Sequence, residues 1–231
     1  MKAMKHKGKA LNACLKLILW TLIALVAVTV IGVLAALVGT FVAALSGFLF
    51  GAWVLFALLC FWFFRDPDPT VPLDLGILVS PAHGKVDAIG EATESEVLDG
   101  PCRRVSIFLS VFDVHVQKAP LAGKVVHLKH SPGQFLSATR AESAIRNENV
   151  LIGFESAGVP GEKIALRLIA GVIARRIIPW VTVGETVARG ERISLIQFGS
   201  RVDVYLPMTA QVQVKLGDRV RGGETVLAMR G

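Results

Sequence analysis

Residues 197–201 contain a Gly-Ser pair where the chain passes from one strand-like run to the next. The hydroxyl of Ser200 becomes a nucleophile when a neighbouring group removes its proton, and histidine is the side chain that most often does so near neutral pH. Taken alone, a Gly-Ser pair between strands is typical of a turn. The pair therefore indicates chemistry only if other residues support it.

A second pattern is the spacing of His83 and Asp87, which matches H-x-x-x-D, the spacing of two zinc ligands in peptidases with a β scaffold. Such a site also needs a third ligand, usually from an H-x-H pair. Here the residue two positions before His115 is Asp113, and the two histidines within 124–130 are three positions apart. The pair is missing, so a zinc peptidase is the less favoured alternative and no metal ligand is assigned.

These residues lie downstream of a long apolar run. Residues 17–64 contain no Asp, Glu, Lys or Arg. One helix needs about 20 residues to cross the hydrocarbon core of a bilayer, so the run predicts a hairpin of two transmembrane helices. Residues 39–40 or 46–47 are the candidate turn. A cleaved signal peptide is the alternative, but its apolar region is only about 7–15 residues long.

Basic residues flank this run on both sides, with five lysines in residues 1–16 and Arg65 after it. The positive-inside rule places the basic tail and the downstream domain on the cytoplasmic side of the cell membrane. The net charge of +7 comes mainly from the tail, because residues 65–231 carry 20 basic and 18 acidic residues. Attraction to anionic lipid headgroups explains this distribution better than nucleic-acid binding.

From residue 65 onward the sequence is mainly β, with short β-branched runs separated by Gly, Pro and Asp. The predicted strands include residues 104–109, 123–128, 192–196, 202–206 and 210–214. The pattern G-[ED]-x-V-x-x-G-E-x-[IV] occurs at 184–193 and again at 217–226, as in lipoyl-like and barrel-sandwich folds. One helix is predicted at residues 164–178. The fold class is thus a barrel-sandwich or lipoyl-like β domain with one or two helices, preceded by the α-helical hairpin.

Five ordered blocks resemble the short, pyruvoyl-dependent form of the phosphatidylserine decarboxylase family. They are residues 63–67 (FFRDP), 80–86 (SPAHGKV), 106–116 (SIFLSVFDVHV), 169–177 (IAGVIARRI) and 198–207 (FGSRVDVYLP). An amino-terminal membrane anchor is also common in this family. The resemblance implies an enzyme that decarboxylates phosphatidylserine to phosphatidylethanolamine at a membrane surface.

The resemblance also implies the chemistry of the Gly-Ser pair. The Ser200 hydroxyl attacks the carbonyl of Gly199, the resulting ester eliminates, and the dehydroalanine that is left hydrolyses to a pyruvoyl group. Two fragments, residues 1–199 and 200–231, then remain associated. The pyruvoyl ketone forms a Schiff base with the substrate amine and accepts the electrons released as CO₂ leaves, so no added cofactor is required.

The same blocks imply roles for single side chains. His115 matches the histidine of the family, and we expect it to be the base in self-cleavage and the acid in decarboxylation. Arg201 is expected to bind the carboxylate or phosphate of the substrate as a bidentate fork. Phe112 and Phe198 are expected to contact the substrate.

His83 departs from the family pattern, because the family usually has an Asp there that completes an Asp-His-Ser set for self-cleavage. A histidine cannot supply the fixed negative charge that orients and stabilises a charged His115. Asp87, Asp113 and Asp203 are candidate replacements, and His83 acting as a base is the other reading.

A membrane-tethered relative without activity, or a lipoyl-like adaptor, is the non-enzymatic alternative. It explains the repeated turns but not the block at residues 198–207. The expected partners are a serine phospholipid and membrane lipids, without nucleic acid. The type of lipid tail and the oligomeric state, a homo-oligomer included, stay open.

Overall fold

The computed structural model describes residues 8–36, 40–74, 76–134, 147–171, 176–197 and 199–231, with side chains for all of these except residues 34–36 and 40–42. The chain forms two compact units. Residues 8–66 make up one unit, and residues 67–231 belong to the other.

The first unit is a pair of helices, α1 (Lys9–Ala36) and α2 (Thr40–Phe63). Each is long and apolar enough to cross a membrane, and many of the large apolar side chains point outward, such as Leu55, which is 70% exposed. A helix that is apolar all round suits a lipid environment. The helices are joined by a hydrogen bond that the indole N–H of Trp53 donates to the hydroxyl of Thr21, at 3.0 Å.

The bounds of the helices bear on the predicted turn and tail. The alternative turn at residues 46–47 is wrong, because α2 continues through both positions. Isolated small residues do not end a helix in lipid, where the backbone has no water to bond instead. The first residue of the other candidate turn, 39–40, lies outside the described residues. Helix α1 begins at Lys9 and therefore includes part of the segment predicted as a basic tail.

The second unit is mainly β, as predicted. Its strands are β1 (Ile77–Val79), β2 (Gly84–Glu94), β3 (Gly100–Leu109), β4 (Val116–Lys118), β5 (Gly123–Ser131), β6 (Asn149–Ser156), β7 (Lys163–Ala170), β8 (Arg176–Pro179), β9 (Thr186–Val187), β10 (Arg192–Gln197), β11 (Ser200–Leu206), β12 (Gln211–Val212), β13 (Arg219–Val220) and β14 (Val226–Met229). Every predicted strand overlaps an observed one, although only Gln211–Val212 of residues 210–214 forms a strand.

Eight strands form one antiparallel sheet in the order β13-β2-β3-β11-β7-β6-β5-β9. Two smaller sheets, β1-β14-β12 and β4-β10-β8, complete the unit. The large sheet has matching halves about its centre, because β2 and β5 each pair at their start with a two-residue edge strand. Strands β11 and β7 meet at the centre of the sheet.

The repeated sequence motif forms the same turn in both halves. Gly184 and Gly217 each have a φ of +93°, a conformation that favours glycine. The N–H of Gly184 donates to the carbonyl of Val125, and the N–H of Gly217 donates to the carbonyl of Val86, each at 2.8 Å. The repeat therefore corresponds to two structurally equivalent turns.

Strand β11 divides its side chains between the two faces of the large sheet. Val202 and Val204 lie in the main apolar core, whereas Tyr205 packs in a smaller cluster. Successive side chains of a strand point to opposite faces. Ser200 is therefore on the core face, and Arg201 is on the other face.

The helix predicted at residues 164–178 is wrong, since its described part consists of strands β7 and β8. Ile164 and Leu168 are four residues apart and suit one face of a helix. They also fit the two-residue period of a strand, because the even-numbered residues from 164 to 170 all lie in the core. The segment forms a strand because β7 pairs with β6 on one side and with β11 on the other.

Candidate active site

One end of the large sheet brings the candidate residues together. Strand β11 begins at Ser200, which pairs with Leu109 at the end of β3 and with Ala170 at the end of β7. Strand β2, on the far side of β3, begins one residue after His83. Since antiparallel neighbours alternate in direction, strand starts and strand ends meet at this edge.

The Gly199–Ser200 peptide lies at the entrance to β11. Gly199 has a φ of +77°, and a Cβ built on it would meet no atom within 4 Å, so its backbone conformation rather than its space requires glycine. The side chain of Ser200 is fully buried, and none of the described residues forms a hydrogen bond with its Oγ. An unpaired buried hydroxyl costs about 1–3 kcal/mol and is often kept for a chemical role.

His115 is fully buried and contacts the main chain of Gly199 on the N-terminal side of that residue. Its Nε2 accepts a hydrogen bond from the N–H of Gly199 at 3.2 Å, and its Nδ1 lies 2.9 Å from the carbonyl oxygen of Asp113. The main-chain N–H can only donate and the carbonyl can only accept. The imidazole is therefore neutral, with its proton on Nδ1 and a lone pair on Nε2 directed at the backbone of Gly199.

The carbonyl of Gly199 is bound by a main-chain donor. Its oxygen accepts a hydrogen bond from the N–H of Gly171, just after β7, at 3.1 Å. A donor placed on a carbonyl oxygen stabilises the negative charge that develops there when a nucleophile attacks the carbon. The sequence did not point to Gly171, because a main-chain donor has no side-chain signature.

The three aspartates considered as replacements for an Asp at position 83 all have other partners for their carboxylates. The carboxylate of Asp113 accepts hydrogen bonds from the N–H and the hydroxyl of Ser110, at 2.8 and 2.7 Å, and lies 3.4 Å from Arg219. Its contact with the imidazole of His115 is through its main-chain carbonyl. Asp87 and Asp203 both form ion pairs with Arg201.

Arg201 lies on the face of the sheet opposite Ser200, where it is 6% exposed. Its Nε is 2.8 Å from Asp203 and its Nη1 is 3.3 Å from Asp87. Burial raises the pKa of Asp87, the positive charge of Arg201 lowers it, and the charge of Asp203 raises it again. Arg201 is therefore paired with two carboxylates of its own chain. Its role in substrate binding stays a prediction.

The remaining candidates are His83, Phe112 and Phe198. His83 is half-buried in the loop between β1 and β2, beside Gly222. Phe112 is 65% exposed in the turn after β3. Phe198 lies outside the described residues, so its predicted contact with the substrate remains a prediction.

His127 and His130 each lie near an acidic side chain. His127 lies 3.5 Å from Glu96, and His130 lies 3.2 Å from Glu148. Within the described ranges, no group of three or more His, Cys, Asp or Glu side chains is arranged to hold a metal ion.

Comparison with known proteins agrees with the resemblance seen in the sequence. The family profile described as phosphatidylserine decarboxylase matches residues 56–228. A protein of Desulfotalea psychrophila, named phosphatidylserine decarboxylase proenzyme, is 45% identical over 166 residues, which cover 72% of this chain and 77% of the relative. Proteins with the same name from Symbiobacterium thermophilum and Magnetococcus marinus are 43% and 45% identical over 171 and 177 residues, covering 74% and 76% of this chain and 79% of each relative.

These relatives are all named as proenzymes of a decarboxylase. The chain belongs to the phosphatidylserine decarboxylase family and is a lyase. Two helices suited to a membrane precede its β unit.

Proposed function

We propose that this chain is a membrane-anchored phosphatidylserine decarboxylase that cuts itself before Ser200 and converts that serine to a pyruvoyl group. The observation that carries the proposal is the environment of the Gly199–Ser200 peptide. Its N-terminal residue is bound by Nε2 of His115 and by the N–H of Gly171, and the hydroxyl that would attack is buried beside it.

Self-cleavage begins with attack by Oγ of Ser200 on the carbonyl carbon of Gly199. Nε2 of His115 releases the N–H of Gly199 and takes the hydroxyl proton, and the oxyanion formed on Gly199 is stabilised by the N–H of Gly171. The C–N bond then breaks, the released amine takes a proton, and the two residues are joined by an ester.

The ester is resolved by elimination. A base removes the Cα proton of residue 200, the Cβ–O bond breaks, and Gly199 leaves as a carboxylate. The dehydroalanine that remains rearranges to an imine, which takes up one water and releases one ammonia. The products are residues 1–199 with an ordinary carboxyl terminus and residues 200–231 with a pyruvoyl terminus.

The position of Ser200 fits such a group. It is a small, fully buried residue, and its hydroxyl has no hydrogen bond to give up within the described part of the chain. The ketone of a pyruvoyl group supplies an electrophile that takes up the substrate amine and the electrons released with CO₂. We expect His115, held through Nδ1 by the main-chain carbonyl of Asp113, to return a proton to the substrate carbon that loses CO₂.

The sheet explains why the cut chain stays together. The fragment 200–231 begins with β11, which pairs with β3 on one side and β7 on the other. It also includes β13, paired with β2, and β14, paired with β1. The small fragment therefore keeps its place through strands on both sides and through a buried apolar face.

The two apolar helices suit an enzyme whose substrate is a membrane lipid. The amine and carboxylate of phosphatidylserine lie at the bilayer surface, so an anchored domain meets them at a high local concentration. The lysines of residues 1–16 and Arg65 favour the cytoplasmic side of the cell membrane and attract anionic headgroups.

The experiment compares Ser200→Ala with Ser106→Ala in the full chain. Ser106 in β3 is equally buried, and its hydroxyl is also without a partner among the residues described. We expect Ser200→Ala to stay one chain of 231 residues. We also expect it to convert phosphatidylserine in mixed micelles at least about 1,000-fold more slowly.

Ser106→Ala is expected to be cut and active, which separates loss of the nucleophile from damage to the sheet. Gel electrophoresis and mass spectrometry of the lipid product report the two steps. Decarboxylation at the wild-type rate by uncut Ser200→Ala would overturn the pyruvoyl mechanism.

A further inference from the structure

A single peptide group links the donor at the Gly199 carbonyl to a buried side chain. The N–H of Gly171 belongs to the same peptide plane as the carbonyl of Ala170. That N–H donates to the oxygen of Gly199 at 3.1 Å, while the Ala170 oxygen accepts a hydrogen bond from the side-chain amide of Asn147 at 2.7 Å. The peptide between Ala170 and Gly171 is therefore bound at both ends.

Asn147 is buried just before the start of β6. It is 1% exposed and lies two residues before the start of β6. The adjacent residue, Glu148, accepts a hydrogen bond from the N–H of Ala170 at 3.0 Å. The main chain around Asn147 and the end of β7 are thus joined, and the amide is held against the Ala170 carbonyl.

Two physical effects follow from the bond to the carbonyl. First, it fixes the rotation of the peptide plane and so the direction of the Gly171 N–H. Second, a donor on the carbonyl oxygen polarises the peptide and strengthens the hydrogen bond that its N–H donates. Both effects act on the oxygen of Gly199, where negative charge develops during self-cleavage.

We propose that Asn147 is a positioning residue for self-cleavage, which aims and polarises the Gly171 N–H at the Gly199 carbonyl. The inference rests on the proposed function, because it assigns a part in the cut before Ser200. It also has a distinct consequence. After the cut, Gly199 is a carboxyl terminus and its oxygen is no longer a reacting atom. Asn147 therefore affects processing and not the turnover of enzyme that is already cut.

The experiment follows chain cutting over time in freshly translated full-length protein inserted into nanodiscs. Asn147→Leu keeps the approximate size of the side chain and removes the donor, and we expect cutting to slow by about tenfold or more, below the 10²–10³-fold loss for an oxyanion donor itself. The matched control is Asn149→Leu. Asn149 is a neighbouring buried amide that donates to the main-chain oxygen of Asn147 and not to Ala170, and we expect less than about a threefold change.

Asn147→Asp distinguishes a donor role from a purely structural role, because only a donor role makes the cutting rate depend on the protonation of the new side chain. An ionised carboxylate cannot donate to the Ala170 carbonyl, whereas a protonated carboxyl group can. We expect the cutting rate of Asn147→Asp, divided by the wild-type rate at the same pH, to rise toward one as the pH falls from 8 to 5. Circular dichroism of the same samples shows that the fold is retained at both ends of the range.

Three results would decide against the proposal. Cutting of Asn147→Leu at the wild-type rate overturns it, and so does a relative rate for Asn147→Asp that is independent of pH. A processed Asn147→Leu enzyme that decarboxylates about tenfold more slowly than processed wild type also overturns it. If wild-type protein itself is never cut, the proposed function fails, which is a different result from a cut wild type with unaffected Asn147 variants.

Discussion

At the residue scale, the orientation of His115 comes from the main chain. Its Nδ1 donates to the carbonyl of Asp113, whose carboxylate is bound to Ser110 and lies near Arg219. A carbonyl fixes the tautomer of the ring but gives less stabilisation to a charged imidazole than a carboxylate does. In the proposed mechanism neutral His115 releases the N–H of Gly199 before it takes the Ser200 proton, and a nearby negative charge would stabilise the protonated ring.

A substitution at His83 tests the effect of a negative charge on self-cleavage. We predict that His83→Asp speeds self-cleavage, by about tenfold if the new carboxylate stabilises protonated His115 by about 1.4 kcal/mol. Decarboxylation by enzyme that is already cut should change little, so the two steps separate. Time courses of chain cutting between pH 5 and 9, for the wild type and the variant, provide the measurement.

The opposite outcome identifies a different role for the same residue. If His83 is itself the base, the substitution slows cutting. Equal rates for the two proteins at every pH would show that position 83 takes no part in self-cleavage.

At the element scale, the sequence predicted what depends on local pattern. The apolar run predicted two helices, the β-branched runs predicted strands, and the glycine repeat at 184–193 and 217–226 marked two equivalent turns. The prediction failed at residues 164–178, where the apolar residues fit both a helix and a strand. Only the pairing of β7 with β6 and β11 distinguishes the two, and pairing is not local information.

The same limit applies to the candidate site. Ser200 and His115 could be chosen as candidates because they stand in blocks that resemble the family and have side chains of reactive types. The parts proposed for Gly171 and Asn147 depend on the register of β7 against β11 and on main-chain groups. The residue types at these positions do not predict that register.

The turn after β2 gives a prediction on stability. Glu94 is 2% exposed, and its carboxylate accepts hydrogen bonds from the N–H groups of Glu96, Val97 and Leu98 at 2.8–3.0 Å. Burial raises the pKa of Glu94, but these N–H groups and Arg167 together hold it below its ordinary value. The stabilisation is therefore present above about pH 4.3 and is lost as the pH falls through the lower pKa of the folded chain.

We predict that Glu94→Gln lowers the free energy of unfolding by about 1–3 kcal/mol at pH 7, and by clearly less at pH 3.5. Urea denaturation of the full chain in detergent measures both values. Glu96→Gln is the control, because its exposed ion pair with Lys129 is worth at most about 1 kcal/mol. A loss for Glu94→Gln that is equal at the two pH values would show that the charge of Glu94 does not contribute.

At the scale of the whole molecule, the segment that follows the helices is bound to the β unit. Arg192 forms an ion pair with Asp68 at 2.7 Å, and Arg189 donates to the carbonyl of Pro72 at 2.7 Å. Gly190, in the first copy of the repeat, leaves room for Val71, and the equivalent glycine of the second copy leaves room for Pro69. Residues 68–72 are therefore packed into the β unit.

For the whole molecule, the central prediction is that the chain is cut before Ser200 and that Ser200 is modified. The measurement is the intact mass of the wild-type protein purified from membranes. We predict two fragments that co-purify, residues 1–199 with an unmodified carboxyl terminus and residues 200–231 lighter than the corresponding seryl peptide by one ammonia. A single species with the mass of the uncut chain, in a preparation that decarboxylates phosphatidylserine, would contradict the account.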